Sequence, residues 1–366
     1  MSVLAAIAVL AVLIVVHELG HFMAARLQGI YANRFSIGFG PILWKYQGSE
    51  TEYAVRAFPL GGFVGFPDDD PEENGIDPRD PNLLRNRPIL DRAIVISAGV
   101  IANLIFAYFL LVLQVGTVGV QNFNPLPGVV VPEVRSELSS AAAQAGIKPG
   151  DIILAVDGKE LAASPEATRV LMEAIQSSAN QPIALKVQRN GKELPEPIIV
   201  TPRVSEDGKA RIGVQLAPNG TIDRRRVTSP VEILSLAAGE FQRITMLTLQ
   251  GFGQLITNFG QVAGQLSGPV RIVDEGAKLA RSDAASLFSF GALISINLAI
   301  INILPLPALD GGHLAFLLIE GLRGKPLPTR IQDGVMQTGL MLLLGLGIFL
   351  IVRDTSQLES IQKLFR

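Results

Sequence analysis

Residues 3–25 read VLAAIAVLAVLIVVHELGHFMAA, an apolar run from Val3 to Val16 that leads straight into His17-Glu18-Leu19-Gly20-His21. About 20 apolar residues cross a bilayer as a helix, so the stretch predicts a membrane span over 3–25. The chain has three histidines, and two of them stand here, four apart. On a helix, positions i and i+4 share a face, so both imidazoles point the same way. Ionisable side chains inside a span are costly and mark functional sites. The spacing is the H-E-x-x-H pattern: two zinc ligands plus a carboxylate, Glu18, able to take a proton from a metal-activated water. A soluble-type helix with chance polar residues, or histidines satisfied by neighbouring carbonyls, leaves the long apolar run unexplained. A signal peptide needs a basic n-region and an A-x-A site, and neither Met1-Ser2 nor the residues that follow supply them.

Composition agrees with a membrane protein carrying a soluble insert. Of 366 residues, 48% are hydrophobic and only 17% charged, and the mean hydropathy of +0.38 is too high for an ordinary soluble chain of this length. A net charge of −2 gives no reason to expect a nucleic-acid partner. With no cysteine, a disulfide, a thiolate zinc site and an iron–sulfur cluster are all excluded. Any zinc site must use histidine and carboxylate.

Arg34–Tyr46 and Thr51–Val64 read as short strands around the turn Gln47-Gly48-Ser49, which predicts a β-hairpin over 34–64, either lying at the membrane surface or simply connecting two elements. Residues 68–82 (DDDPEENGIDPRDPN) form an acidic, proline-punctuated loop expected to be mobile. Residues 93–120 hold no charge and predict a second span. Gly99 and Asn103 share a face of it. Gly99 suits close helix packing, and Asn103 needs a partner in the bundle interior. Residues 128–217 turn charged, with short β-branched runs and two helical stretches near Ser139–Ala145 and Pro165–Ser177, and read as an α+β module. Residues 218–283 carry Arg224-Arg225-Arg226 and an apolar stretch broken by Glu240, Arg243 and several glycines. They predict an amphipathic segment at the interface, with arginines suited to anionic headgroups or to a solvated turn. Residues 284–309 and 334–352 predict a third and a fourth span. Two membrane parts, 1–127 and 284–366, thus flank the insert. The fold class expected is an α-helical polytopic membrane protein of about four transmembrane helices, with an inserted α+β domain and a membrane-associated β-hairpin.

A catalytic zinc site takes three protein ligands and a water. Asp310 is the best third ligand: it ends an apolar run just after Pro305 and Pro307 break the helix, and a carboxylate there needs a cation. His313 is the alternative. Asn297 and Asn302, earlier on the same span, are candidates for binding a substrate carbonyl or its oxyanion, or for interhelical hydrogen bonds.

These residues resemble the site-2 protease family of intramembrane zinc metalloproteases, in its bacterial form with a single insert. The matching pieces are His17–His21, the run Asn302-Ile303-Leu304-Pro305-Leu306-Pro307-Ala308-Leu309-Asp310-Gly311-Gly312, Gly38-Phe39-Gly40 with Pro59–Val64, Ser97–Asn103, and Ser267-Gly268-Pro269-Val270. Val100 stands where the family usually has proline. The 128–217 module is similar to a PDZ domain, through Ala145–Ile153 and Val156-Asp157-Gly158. The resemblance implies Zn2+ held by His17, His21 and Asp310, with Glu18 as general base. It implies substrates that are single-span membrane proteins already cut outside, such as anti-sigma factors or signal-peptide remnants. It also implies a PDZ module that filters by size or reads a new C-terminus through a carboxylate loop at Gly128, Val129 and Val130. Three rivals are a metalloprotease with Glu320 as third ligand, a non-enzymatic PDZ scaffold and a metal transporter. Lysine and arginine crowd the loops after span one and before span four, which puts those loops in the cytoplasm and both termini and the module outside. The inner (plasma) membrane is the expected location, and a plastid or thylakoid membrane is also compatible.

Overall fold

The computed structural model describes residues 2–68, 75–134, 141–205, 208–258, 260, 267–283 and 285–357. The chain divides into two compact units, Met1–Val118 with Arg226–Arg366, and Gly119–Arg225. The first opens with helix α1 (Ser2–Leu27). Strands β1 (Arg34–Gln47) and β2 (Glu52–Gly65) follow. They form the hairpin expected around Gln47–Ser49, with 44–47 paired to 52–55, and pair further than a simple hairpin would. Gly38 (φ +87) and Gly40 (φ +83) bend β1, and Gly61 (φ +148) bends β2, in backbone regions that side chains with a Cβ rarely enter. Each strand therefore pairs twice. Phe35, Ser36 and Ile37 match Tyr53, Ala54 and Val55 in the parallel sense, and Val64, Phe63 and Gly62 in the opposite sense. Lys45, Tyr46 and Gln47 fold back on Ala54, Tyr53 and Glu52. The result is a four-segment sheet with residues 62–65 along one edge and 44–47 along the other. Edge-to-face contacts of Phe22 with Phe35 (5.4 Å) and Tyr53 (6.1 Å) hold this sheet to α1.

Of the acidic loop, residues 69–74 lie outside the described residues. The remainder is tied down rather than mobile: the Tyr31 hydroxyl donates to Asp80, and Asn86 Nδ2 donates to the carbonyls of Pro78 and Asp80. Helix α2 (Ile89–Thr117) is the second span. It meets α1 at Gly20, where an added Cβ would lie 2.5 Å from the Ala98 carbonyl oxygen.

The second unit is wider than 128–217 because its outer strands pair to their ends. Strand β3 (Val120–Val134) and strand β11 (Val214–Arg225) are antiparallel from Val134↔Val214 down to Val120↔Arg225. Between them come α3 (Ala141–Ala145), β4 (Ile152–Val156), β5 (Lys159–Glu160), α4 (Ala167–Ser177), β6 (Ile183–Arg189), β7 (Lys192–Glu193), β8 (Ile198–Val200), β9 (Arg203–Val204) and β10 (Ala210–Arg211). The main sheet runs β11-β3-β4-β6-β7. Its hairpins turn at Asp157-Gly158 and Asn190-Gly191, all four residues at positive φ, as two-residue turns between twisted strands require. Ile183, Leu185 and Val187 bury one face of β6 against Leu171 and Ile175 of α4, the period-2 and i, i+4 patterns of strand and helix. Gly128, Val129 and Val130 are not a carboxylate loop. They lie inside β3, where Val129 and Val130 pair with Ile153 and Ile152 on one side and with Pro218 and Ala217 on the other. The Gly128 N–H is taken by the Leu161 carbonyl, so no row of free amides is left for a carboxylate.

Back in the first unit, α5 (Pro230–Thr257) is continuous. One of its faces packs on the membrane helices. Ala237 and Ile244 are buried against Ala107 and Leu111 of α2 and against Ala292 and Ile296. Positions 237, 241, 244 and 248 make one helical stripe, while Glu240 and Arg243, which interrupt the apolar sequence, pair with each other (2.7 Å). Helix α6 (Pro269–Ser282) is followed by α7 (Ser286–Ile303), α8 (Asp310–Arg323) and α9 (Thr329–Gln357). Among the described residues four helices are long and apolar enough to cross a membrane: α1, α2, α7 and α9.

Candidate metal centre

One turn of α1 places His17 and His21 side by side, with Nε2 atoms 3.3 Å apart. Both rings lie against Gly99 of α2. A Cβ there would come within 2.3 Å of His21 Nε2 and 2.8 Å of His17 Cε1, so only glycine leaves room. Asp310 arrives from the other side. Helix α7 stops at Ile303, and the chain turns through Leu304–Leu309 with Ala308 at φ +68. Gly311 and Gly312 let the new helix start against this turn, since a Cβ on Gly311 would meet the Leu304 carbonyl oxygen at 2.0 Å. The sequence GG after Asp310 is thus a packing requirement of the turn that delivers the carboxylate.

Asp310 Oδ2 lies 3.4 Å from Nε2 of both histidines, and the three ligand atoms fall within 4.8 Å of one another. His21 Nδ1 faces the Val95 carbonyl at 2.8 Å. A carbonyl only accepts, so Nδ1 carries the proton and Nε2 offers a lone pair to the centre. Asp310 Oδ2 is buried with no hydrogen-bond partner. A buried acceptor without a donor costs about 1–3 kcal/mol, more when charged, and lone pairs converging on one point call for a cation. A tetrahedral ion bonded at about 2.0–2.1 Å keeps its donors about 3.3–3.4 Å apart, which is the spacing found. Two imidazoles and a carboxylate are also a zinc donor set. The residues present fit zinc.

Other groups surround this trio. The Glu18 carboxylate accepts a hydrogen bond from the Val64 backbone N–H, and Gly62 packs so closely that a Cβ would lie 2.9 Å from Glu18 Cγ. The sheet edge 62–65 therefore runs beside Glu18. Asn302, buried, puts Nδ2 3.3 Å from His17 Nε2. Asn297, a turn and a half earlier on α7, makes no hydrogen bond to the cluster. Asn103 Nδ2 is 3.1 Å from His17 Nδ1. A cavity of about 760 Å³ opens against the same edge, lined by Arg34, Val64, Arg92, Ile96, His313 and Glu320 among others. His313 faces it and lies outside the three-donor group. Glu320 is engaged in both its oxygens by the Arg92 guanidinium, so it is not a third ligand.

The motif reading located His17, Glu18, His21 and Asp310. It left Val64 and Val95 unnoticed, because they act through backbone groups that carry no residue identity. Asn103 gave a signal, as an amide in a charge-free span one turn after Gly99, but its partner came only from the fold.

Comparison with known proteins matches residues 5–346 to the model of Peptidase family M50. A protein of Nostoc sp. that carries the provisional name zinc metalloprotease is 63% identical, covering 100% of both chains. A Synechocystis protein with the same provisional name is 60% identical over 99% of this chain and 97% of its own. A protein of Arabidopsis thaliana named chloroplastic membrane metalloprotease is 49% identical over 99% of this chain and 80% of its own. The solved PDZ domain of an SdrC-like protein from Listeria monocytogenes covers 24% of this chain and 86% of its own at 22% identity, with a TM-score of 0.21, too low to carry an argument.

Proposed function

The chain belongs to Peptidase family M50 and is a membrane zinc metalloprotease, and from that premise we propose that His17, His21 and Asp310 hold the zinc, that Glu18 is the general base, and that the bonds cut lie within the spans of other membrane proteins. The observation that carries this reading is the buried, partnerless Oδ2 of Asp310 facing two imidazole nitrogens at 3.4 Å. When bound, the zinc supplies the Lewis acidity that polarises a carbonyl and acidifies a water. Glu18 takes the proton of the attacking water and passes it to the departing amine. The Val64 N–H fixes the carboxylate that does this. Asn302, beside His17, offers amide protons to the charge that develops on the substrate carbonyl oxygen.

A peptide carbonyl in an intact helix is already hydrogen-bonded, so a substrate span must unwind first. Each backbone group freed in hydrocarbon costs several kcal/mol unless it is re-paired. The edge 62–65 can re-pair an extended segment and lead it past Glu18. The substrates proposed are single-span proteins trimmed outside beforehand, of the anti-sigma-factor or signal-peptide-remnant kind. The insert reads or filters their trimmed ends. Its long edge is β11, with β3 on the other side, while the opposite edge is the short β7 and β8, so a peptide strand added to the sheet would lie along β11 rather than at Gly128–Val130. Positively charged short loops favour the orientation with both termini and the insert outside the cytoplasm.

The test is zinc content and cleavage of a Gly-containing transmembrane peptide in three variants. Glu18→Gln keeps zinc and loses about 10²–10⁴ in rate. Asp310→Ala loses zinc, and His313→Ala keeps it. Substantial turnover by Glu18→Gln, or zinc retained by Asp310→Ala, would overturn the assignment.

A further inference from the structure

Asn103 is wholly buried in the middle of α2. Its backbone carbonyl accepts the Ser295 hydroxyl of α7 at 2.8 Å, which pins the residue in place. Its side-chain nitrogen faces His17 Nδ1 at 3.1 Å, and its side-chain oxygen is buried with no partner. This orientation conflicts with metal ligation. An amide nitrogen only donates, so facing it His17 Nδ1 must be the bare nitrogen. The other nitrogen, Nε2, faces the Asn302 amide nitrogen at 3.3 Å, which also only donates, and a neutral imidazole, with one bare nitrogen, cannot accept from both; with Nδ1 bare, Nε2 would carry the proton. Nε2 is the atom 3.4 Å from Asp310 Oδ2 and 3.3 Å from His21 Nε2, where a lone pair is needed. His21 has no such conflict, because Val95 offers a carbonyl to its Nδ1. A half-turn of the Asn103 amide exchanges its oxygen and nitrogen, which are nearly the same size. It gives the buried oxygen a donor and His17 the tautomer that His21 already has.

We infer that Asn103 is a positioning residue for the metal: its side-chain oxygen accepts the Nδ1 proton of His17 and so turns the Nε2 lone pair toward the zinc. This rests on the reading of His17 as a ligand. Groups that take the second N–H of a ligating histidine typically change metal affinity by about 10–100-fold when removed. A side chain that only filled space would be replaced without loss by leucine, of similar size, and harmed by aspartate, a buried charge. The inference demands the opposite order.

The experiment measures zinc affinity of the purified full chain by chelator competition, in wild type and in the Asn103→Leu, Asn103→Asp and His17→Ala variants. Asn103→Leu should bind zinc about 10–100-fold more weakly, and Asn103→Asp, which keeps an acceptor, within a few fold of wild type. Equal affinity for wild type and Asn103→Leu, or loss in Asn103→Asp alone, would overturn the role of Asn103 while leaving the site intact. Zinc retained by His17→Ala would instead overturn the site. Should a variant fail to fold, nitrogen-15 NMR of the histidines in zinc-loaded wild type decides the matter. The expected spectrum has His17 with Nδ1 protonated and Nε2 bound to metal, and the reverse pattern refutes the inference.

Discussion

A methyl group on Gly99 would sit 2.3 Å from His21 Nε2 and 2.8 Å from His17 Cε1, and neither ring can retreat, since both are held from behind by α2 itself through Val95 and Asn103. Gly99→Ala should therefore cost the site its zinc, with metal content of the purified protein falling at least tenfold. Gly251→Ala on α5, where an added Cβ meets nothing within 4 Å, should leave metal content unchanged and favour its helix by roughly 0.5–1 kcal/mol. Equal zinc in the two variants would show that the rings can shift. At this scale the chain is most readable where side-chain type and helical period coincide, as at His17, Glu18 and His21. Gly99 was legible only as a small residue suited to packing; that it packs against the ligands themselves depends on which face of α2 meets α1.

Among elements, the bent sheet departs furthest from expectation. Glycine, proline and aromatic punctuation marked β1 and β2 as strands, and one turn at Gln47–Ser49 suggested one hairpin. The bends at Gly38, Gly40 and Gly61 are set by backbone conformations, and a glycine in sequence does not say whether it enters them. The consequence is functional: Glu52–Val55 lies inside the sheet, paired on both sides, and residues 62–65 form one edge. Val64→Pro removes the N–H that Glu18 accepts without breaking a central ladder. A hydrogen bond to a charged group is worth about 1.5–3 kcal/mol, so the rate should fall about 10–100-fold with zinc retained. Unchanged turnover would mean that the Val64 amide does not orient the base. Proline at Tyr53 should instead disrupt the sheet and reduce the amount of folded protein. The packing of α5 on α2 and α7 was hidden for a related reason: Glu240 and Arg243 look like a break in the apolar stretch until they are seen to neutralise each other on the exposed face.

At the level of the molecule, the insert Gly119–Arg225 has a core of its own and a buried carboxylate, Asp151, paired with the partly exposed Arg189. Asp151 is fully buried, and burial by itself pushes its carboxyl up. The Arg189 guanidinium, at 2.7 Å, and the Lys148 backbone N–H more than offset this, and hold the carboxyl below the usual range. A depressed folded pKa means the folded form binds the proton less readily than the unfolded one, whose value is about 3.9. The stabilisation is therefore complete above about pH 4 and is lost as pH falls through the folded value. Urea unfolding of the insert from pH 7 to pH 3 should show this loss. Arg189→Met should destabilise by about 3–5 kcal/mol at neutral pH, because it strands a buried charge, and should shrink the loss on acidification. Equal pH slopes in the two proteins would contradict the pairing.

Helix α9 is pinned near its C-terminal end, where the buried Asp354 accepts the Arg271 backbone N–H of α6, and is held loosely elsewhere. Its apolar side chains are largely exposed, among them Leu340, Met341, Leu344, Ile348 and Phe349. It touches the turn that delivers Asp310 at two points: Gly339 against Pro307, and the Met336 sulfur accepting the Ala308 N–H at 3.3 Å. An apolar cavity of about 620 Å³ lies between helix and turn. Lipid tails are as apolar as leucine, so hydrophobicity alone does not hold such a helix against its neighbours. Its tilt is then open to the thickness of the bilayer around it, and mismatch costs fractions of a kcal/mol per ångström. Tilt of α9 moves Gly339 and Met336, and with them the turn that ends in a metal ligand. Reconstituted in a series of lipids of increasing chain length, the enzyme should show an optimum in rate at one thickness, and Met336→Leu should broaden it. A rate independent of chain length would disconnect the helix from the metal. Through two small contacts, the membrane's own dimension becomes one of the variables of the chemistry.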